Sequence, residues 1–189
     1  MTGHWAKNDV EVLAAKGIVS GVTFRSFAPE RPITRAEFAK LIVMLLRTMQ
    51  DDAGIADDRS IAQPPVFSDV AADAWYGEYV QEAAALGLMQ GANGKFRPGT
   101  AITRQEMMTV IARALGFDPA SKLNEAIILA AYRDEDELSD WARKPAAYLI
   151  QSGLIKGSNG KLQPSKLATR AESAALLLRV LEHGSSEHS

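Results

Sequence analysis

The stretch Ile33-Thr34-Arg35-Ala36-Glu37 occurs three times in this chain, returning as Ile102-Thr103-Arg104-Gln105-Glu106 and as Ala168-Thr169-Arg170-Ala171-Glu172. Each copy follows a proline (Pro29, Pro98, Pro164) with six residues from proline to arginine, and each opens an apolar helical pattern. Thr followed three residues later by Glu is a capping box: the hydroxyl accepts the free amide at the third helical position, and the carboxylate reaches back to the threonine amide. The arginine falls at the first helical position, where the helix macrodipole is positive and disfavours a cation. Three such arginines in register suggest a helix start and a guanidinium aimed together at an anion. The competing reading is that each arginine pairs with a nearby carboxylate and only holds repeats together.

Other landmarks keep the same register. Twelve residues after Trp5, Trp75 and Trp141 come Gly17, Gly87 and Gly153, and four beyond those Gly21, Gly91 and Gly157. Only the segment from the second glycine to the proline differs, by one extra residue in the first copy. Such spacing marks internal repetition. It divides the chain into repeat one (1–47), a connection (48–66), repeat two (67–116), a connection with a short helix (117–131), repeat three (132–182) and a disordered tail (183–189).

Within each repeat the tryptophan introduces a helix. Ala6, Val10 and Leu13, then Tyr76, Val80 and Ala83, then Ala142, Ala146 and Leu149 form one face of a 3.6-residue period. Pro145 is expected to delay or kink the third of these helices. Loops follow, with Asn93-Gly94 and Asn159-Gly160 as tight-turn pairs. The glycines serve backbone geometry, close approach of a ligand to backbone amides, or both. The second helix carries a broad apolar stripe: Phe38, Leu41, Ile42, Leu45 and Leu46 in the first copy, Met107, Val110, Ile111, Ala114 and Leu115 in the second, and Leu176, Leu177, Val180 and Leu181 in the third. The fold expected is all-α, with three helix-loop-helix repeats whose second helices can pack as a central three-helix bundle.

The connection from Thr48 to Val66, with Asp51-Asp52, Asp57-Asp58 and Pro64-Pro65, reads as loop; its carboxylates read as solvated linker instead of a metal site. The second connection reads as a helix from Ala120 to Tyr132 after Asp118-Pro119. Both end in aromatic-x-Asp, at Phe67-Ser68-Asp69 and Tyr132-Arg133-Asp134. No counterpart precedes Trp5, and the chain opens inside its first repeat without a signal peptide, so a longer parent protein is expected.

Bulk properties narrow the function classes. With 189 residues, 47% hydrophobic, the chain can bury a core. A net charge of -2 with no basic run argues against a nucleic-acid partner. No apolar run approaches the roughly 20 residues of a membrane helix, and no cysteine is present for disulfides or thiolate sites. No acid–base pair, activated serine or metal-ligand spacing recurs with the motif, so neither catalysis nor a cofactor is expected. His4, His183 and His188 lie near the chain ends and read as incidental.

Together, Phe67 to Val70, the tryptophans, the Gly-x-x-x-Gly loops, the Phe-x-Pro turn and the three Thr-Arg-x-Glu helix starts resemble S-layer homology repeats over nearly the whole chain. The resemblance implies a pseudo-threefold assembly of three repeats around a central bundle, with grooves between neighbours, in a monomer. It implies an extracellular module that anchors exported proteins non-covalently to the cell envelope, by binding a secondary cell wall polymer often bearing a pyruvate ketal on N-acetylmannosamine. Carried over by position, Arg35, Arg104 and Arg170 hold the ketal carboxylate, and amides around Gly21, Gly91 and Gly157 bind sugar or ketal oxygens. Trp5, Trp75 and Trp141 lie against a sugar face, or pack in the core. Glu37, Glu106 and Glu172 are assigned to capping. Departures from the pattern, at Gln105, at the longer first loop and at Pro145, predict unequal grooves. A scaffold for acidic peptides or for a second copy of the chain, and a peptidoglycan binder, stay open as alternatives.

Overall fold

Three helices start at the three arginines of the repeated motif. The computed structural model describes residues 1, 3–23, 26–53 and 65–186. Among them it forms seven α-helices and no strand: α1 (Lys7–Ala15), α2 (Arg35–Ala53), α3 (Gly77–Ala85), α4 (Arg104–Ala114), α5 (Glu125–Leu129), α6 (Asp140–Gln151) and α7 (Arg170–Ser186). The capping boxes are present at α2, α4 and α7. The Thr34, Thr103 and Thr169 amides donate to Glu37, Glu106 and Glu172 at 2.8–2.9 Å, and the glutamate amides donate to the threonine hydroxyls at 3.1–3.4 Å.

The chain forms two compact units, Met1–Ala101 with Thr169–Ser189, and Ile102–Ala168. In the first, α2 packs on α3 and α7, and α1 packs on α7. In the second, α6 packs on α4 and α5. Of the expected central bundle, the α2–α7 pair lies within the first unit, while α4 belongs to the second. The apolar stripes are buried as read: Phe38, Ile42 and Leu45 on α2, Met107 and Ile111 on α4, and Leu177 and Val180 on α7 are almost fully out of water.

The loops between paired helices are shaped by left-handed residues. Asn93-Gly94 and Asn159-Gly160 all have positive φ, the requirement of a type I′ turn. Ala28, Arg97 and Gln163, each directly before the repeat proline, are left-handed without being glycine. For an L-residue this costs about 1–2 kcal/mol. In repeats two and three an aspartate compensates. Asp69 accepts the Phe96 and Arg97 amides, both at 2.8 Å, and Asp134 accepts the Leu162 and Gln163 amides at 2.9 and 2.8 Å. This is the physical meaning of the aromatic-x-Asp element.

Four expectations need correction. The reading of Thr48 to Val66 as loop fails at its start, because α2 runs on to Ala53. No glycine or proline interrupts it before Gly54, and the Thr48 hydroxyl folds back onto the Met44 carbonyl at 2.9 Å. The tail expected to be disordered from residue 183 instead continues α7 as far as Ser186, no proline stopping the helix after Leu181. Residues 54–64, including Asp57-Asp58 and Pro64, and residues 187–189 of the tail lie outside the described residues. The helix expected from Ala120 to Tyr132 is only Glu125–Leu129: Asp118 takes the Ala120 amide in a turn of its own, and Asn124 caps the helix later. Pro145 does not delay α6, which begins five residues before it at Asp140. The proline gives up one hydrogen bond and is itself buried.

Equilibrium urea unfolding tests this frame. Thr103→Ala is expected to lose about 0.5–2 kcal/mol, and Thr103→Ser to retain most of the cap. Asp134→Ala leaves two amides without acceptors and is expected to cost more, at about 1–3 kcal/mol per amide.

Candidate functional site

The helix starts, read from sequence as anion sites, are filled by the protein itself. In the first unit the amides of Arg170 and Ala171 donate to the Arg31 and Pro29 carbonyls at 3.0 and 2.9 Å, and those of Arg35 and Ala36 to Thr100 and Pro98 at 2.8 and 3.1 Å. In the second unit the amides of Arg104 and Gln105 donate to Lys166 and Pro164 at 2.9 and 3.0 Å. Each helix start is thus docked into the loop of another repeat: the first into the second, the second into the third, the third into the first. The expectation of free amides facing an anion is overturned, because a backbone carbonyl satisfies each donor locally.

The arginines follow the same rule. Arg35, Arg104 and Arg170 donate through Nε to the carbonyls of Phe96, Leu162 and Phe27, each at 2.9 Å. Arg35 also donates Nη2 to Gln90 O at 2.7 Å, and Arg170 donates Nη2 to Ser20 O at 2.6 Å. Their guanidinium groups lie over the rings of Phe96 and Phe27, 4.8 and 4.5 Å from the centroids. Neither sequence reading named this partner. It is carbonyl oxygen, held by the loop.

A cavity of about 720 Å³ opens beside Arg170 in the first unit. Its lining includes Ser20, Gly21, Arg31, Glu37, Lys40, Trp75 and Arg170. Three basic side chains and one carboxylate thus share its lining, and two of the three, Arg31 and Arg170, pair with that carboxylate. Glu37 accepts the Thr34 amide through Oε2 and pairs through Oε1 with Arg31 and, at 3.4 Å, with Arg170. Burial pushes the Glu37 carboxyl up, but the Thr34 amide and the Arg31 and Arg170 guanidinium groups outweigh it and hold the group below its ordinary value. Arg170 is buried, which pulls its guanidinium down; the Glu37 charge opposes this and the Arg31 charge adds to it.

Of the residues expected from sequence, Gly21, Trp75 and Arg170 meet in this cavity. Trp5, Arg35 and Gly91 belong to the same unit without lining it, and Arg104, Trp141 and Gly157 belong to the second unit. The core reading of the tryptophans is overturned for all three: Trp5, Trp75 and Trp141 are 61%, 59% and 51% exposed. The glycines are explained by close approach of the chain to itself. A Cβ on Gly21 would meet Ser26 O at 2.8 Å, and one on Gly91 or Gly157 would meet Lys95 O or Lys161 O at 2.6 Å. Sequence reasoning missed Arg31 and Lys40, whose counterparts (Thr100 and Lys166; Thr109 and Ala175) follow no repeated pattern. Among the described residues His4 makes local contacts only: its Nε2 pairs with Glu30 at 2.8 Å and its Nδ1 accepts the Ala6 amide at 3.1 Å. No group of His, Cys, Asp or Glu that could hold a metal ion occurs among the described residues. No described helix is long and apolar enough to cross a membrane.

The profile of the S-layer homology domain matches the sequence three times, at residues 1–39, 66–108 and 131–174. The chain belongs to the S-layer homology domain family. Exoglucanase XynX of Acetivibrio thermocellus is 34% identical over 95% of this chain and 16% of its own length. Amylopullulanase of Thermoanaerobacterium thermosulfurigenes is 35% identical over 95% of this chain and 9% of its own. S-layer protein EA1 of Bacillus anthracis is 29% identical over 93% of this chain and 19% of its own. The S-layer homology repeats therefore span less than a fifth of each of these relatives, and in the two enzymes they cover a small part of the protein.

The Glu37 pairing predicts a pH dependence. With a folded value below the ordinary one, Glu37 contributes stability that is fully present above its unfolded value of about 4.5 and is lost as pH falls through the folded value. Glu37→Gln keeps an amide oxygen for the Thr34 cap. It is expected to unfold at lower temperature than the wild type near neutral pH, with the gap closing as pH falls below about 4.5 in a thermal-melt series.

Proposed function

We propose that this chain anchors the protein that carries it to a bacterial cell envelope, on the extracellular side, by binding an anionic secondary cell wall polymer. The cavity beside Arg170 takes the polymer's terminal sugar, an N-acetylmannosamine bearing a pyruvate ketal. The observation that carries this reading is the lining of that cavity: Arg31, Lys40 and Arg170 share it with a single carboxylate, and the exposed indole of Trp75 stands at its wall. A ketal carboxylate meets a surplus of positive charge there, and charge-assisted hydrogen bonds contribute roughly 1.5–3 kcal/mol each. The indole offers an apolar face to the sugar ring.

Membership of the S-layer homology family supports envelope anchoring. So do the relatives described as S-layer protein, surface-layer 125 kDa protein and cell surface glycoprotein 1. We assign this chain no catalysis; the exoglucanase and the amylopullulanase share with it only the small part that the repeats cover. Arg35 and Arg104, with Trp5, Trp141, Gly91 and Gly157, are assigned corresponding ligand positions in the other copies. Where two positions engage one polymer chain, effective concentration tightens the whole.

Calorimetric titration with synthetic pyruvylated N-acetylmannosamine, beside the ketal-free sugar, tests the reading. Binding is expected for the ketal alone, weakening with added salt and falling about tenfold in Trp75→Ala, a loss of roughly 1.4 kcal/mol. A folded wild type that ignores both sugars would return the choice to peptidoglycan or acidic peptides.

A further inference from the structure

Arg170, the arginine singled out by the repeated motif, has its best binding edge occupied. A guanidinium recognises a carboxylate most strongly through two parallel N–H···O bonds from one edge. The Nε and Nη2 of Arg170 are donated instead to Phe27 O and Ser20 O. Its Nη1 faces Glu37.

Arg31, in the same cavity, is placed differently. Its Nη2 pairs with Glu37 Oε1, but its Nε–H is buried and meets no acceptor among the described residues. Half of its fork is in use. A buried donor without an acceptor is costly, and an oxygen brought to it recovers that cost. The side chain as a whole is 39% exposed, springs from a loop instead of a helix start, and already lines the cavity.

We propose that Arg31 is the residue that binds the ligand carboxylate in this cavity, and that Glu37 occupies the carboxylate's place until the ligand arrives. The inference rests on the anionic-sugar reading above. On binding, Arg31 leaves Glu37 and presents both Nε–H and Nη2–H to the two oxygens of the incoming carboxylate. Glu37 is not stranded by the exchange, because Oε2 keeps the Thr34 amide and Oε1 keeps Arg170. Arg170 and Lys40 then supply charge for two carboxylates where there was one. Arg31 thereby sets a preference for a planar carboxylate over a ligand that needs only positive charge.

The test is calorimetric titration of the pyruvylated sugar into wild type, Arg31→Ala, Arg31→Lys and Glu37→Gln, each checked for native circular dichroism. Arg31→Ala and Arg31→Lys are both expected to bind roughly tenfold to a hundredfold more weakly, since lysine keeps the charge and loses the fork. Glu37→Gln is expected to bind about threefold or more tightly, because the internal competitor loses its charge. A merely structural pair would give the opposite sign for Glu37→Gln. Should Arg31→Ala misfold, Arg31→Lys decides. Wild-type binding that Arg31→Lys leaves unchanged, or that Glu37→Gln weakens, overturns the exchange alone. A wild type that does not bind overturns the anionic-sugar reading and the exchange with it.

Discussion

Each of the three helix starts is held by the same three hydrogen bonds: two from its first amides and one from arginine Nε, all to carbonyls of a loop from another repeat. Exposed helix amides need partners, and a helix end buried without them is heavily penalised. Here one repeat's unpaired donors meet the next repeat's unpaired acceptors. The arginine at the first helical position, unfavourable beside the positive end of the dipole, is offset by the carbonyl it binds and the aromatic ring on which it lies in the first unit. Repetition follows from this interlock. A repeat by itself has donors at its helix start and acceptors in its loop that only another repeat completes.

The loop must be strained to offer those carbonyls. Ala28, Arg97 and Gln163 take left-handed conformations directly before proline, turning the preceding carbonyl toward the arginine. Asp69 and Asp134 then bind the amide of the turned peptide itself and the amide before it. Backbone strain, aspartate and arginine act as one device in the second and third repeats. It also accounts for glycine at positions 91 and 157, where the turn's own carbonyl leaves no room for a Cβ.

Much of this was legible in the sequence, and the failures are instructive. Helix starts, caps, apolar stripes and Asn-Gly turns were readable because each rests on interactions within a few residues. The extent of α2 was not, since a polar, acidic segment looks like loop until one notes that nothing breaks it before Gly54. The arginine's partner was misjudged because both readings considered only carboxylates and anions; backbone carbonyls carry no sequence signature. The cavity was half legible. Trp75, Gly21 and Arg170 belong to the repeat and could be named, whereas Arg31 and Lys40 are peculiar to the first copy and stand out only once the fold gathers them. Periodicity finds what repeats share and overlooks what makes one of them different.

On this account Arg170 builds the cavity and the unrepeated Arg31 works in it. Arginine Nε–H resonances report this directly in the ¹⁵N-labelled chain during titration with pyruvylated N-acetylmannosamine. The account predicts that the Arg31 Nε–H signal shifts on saturation as it gains an acceptor, while that of Arg170 stays on its carbonyl and barely moves. A large shift at Arg170 with Arg31 unmoved would contradict it.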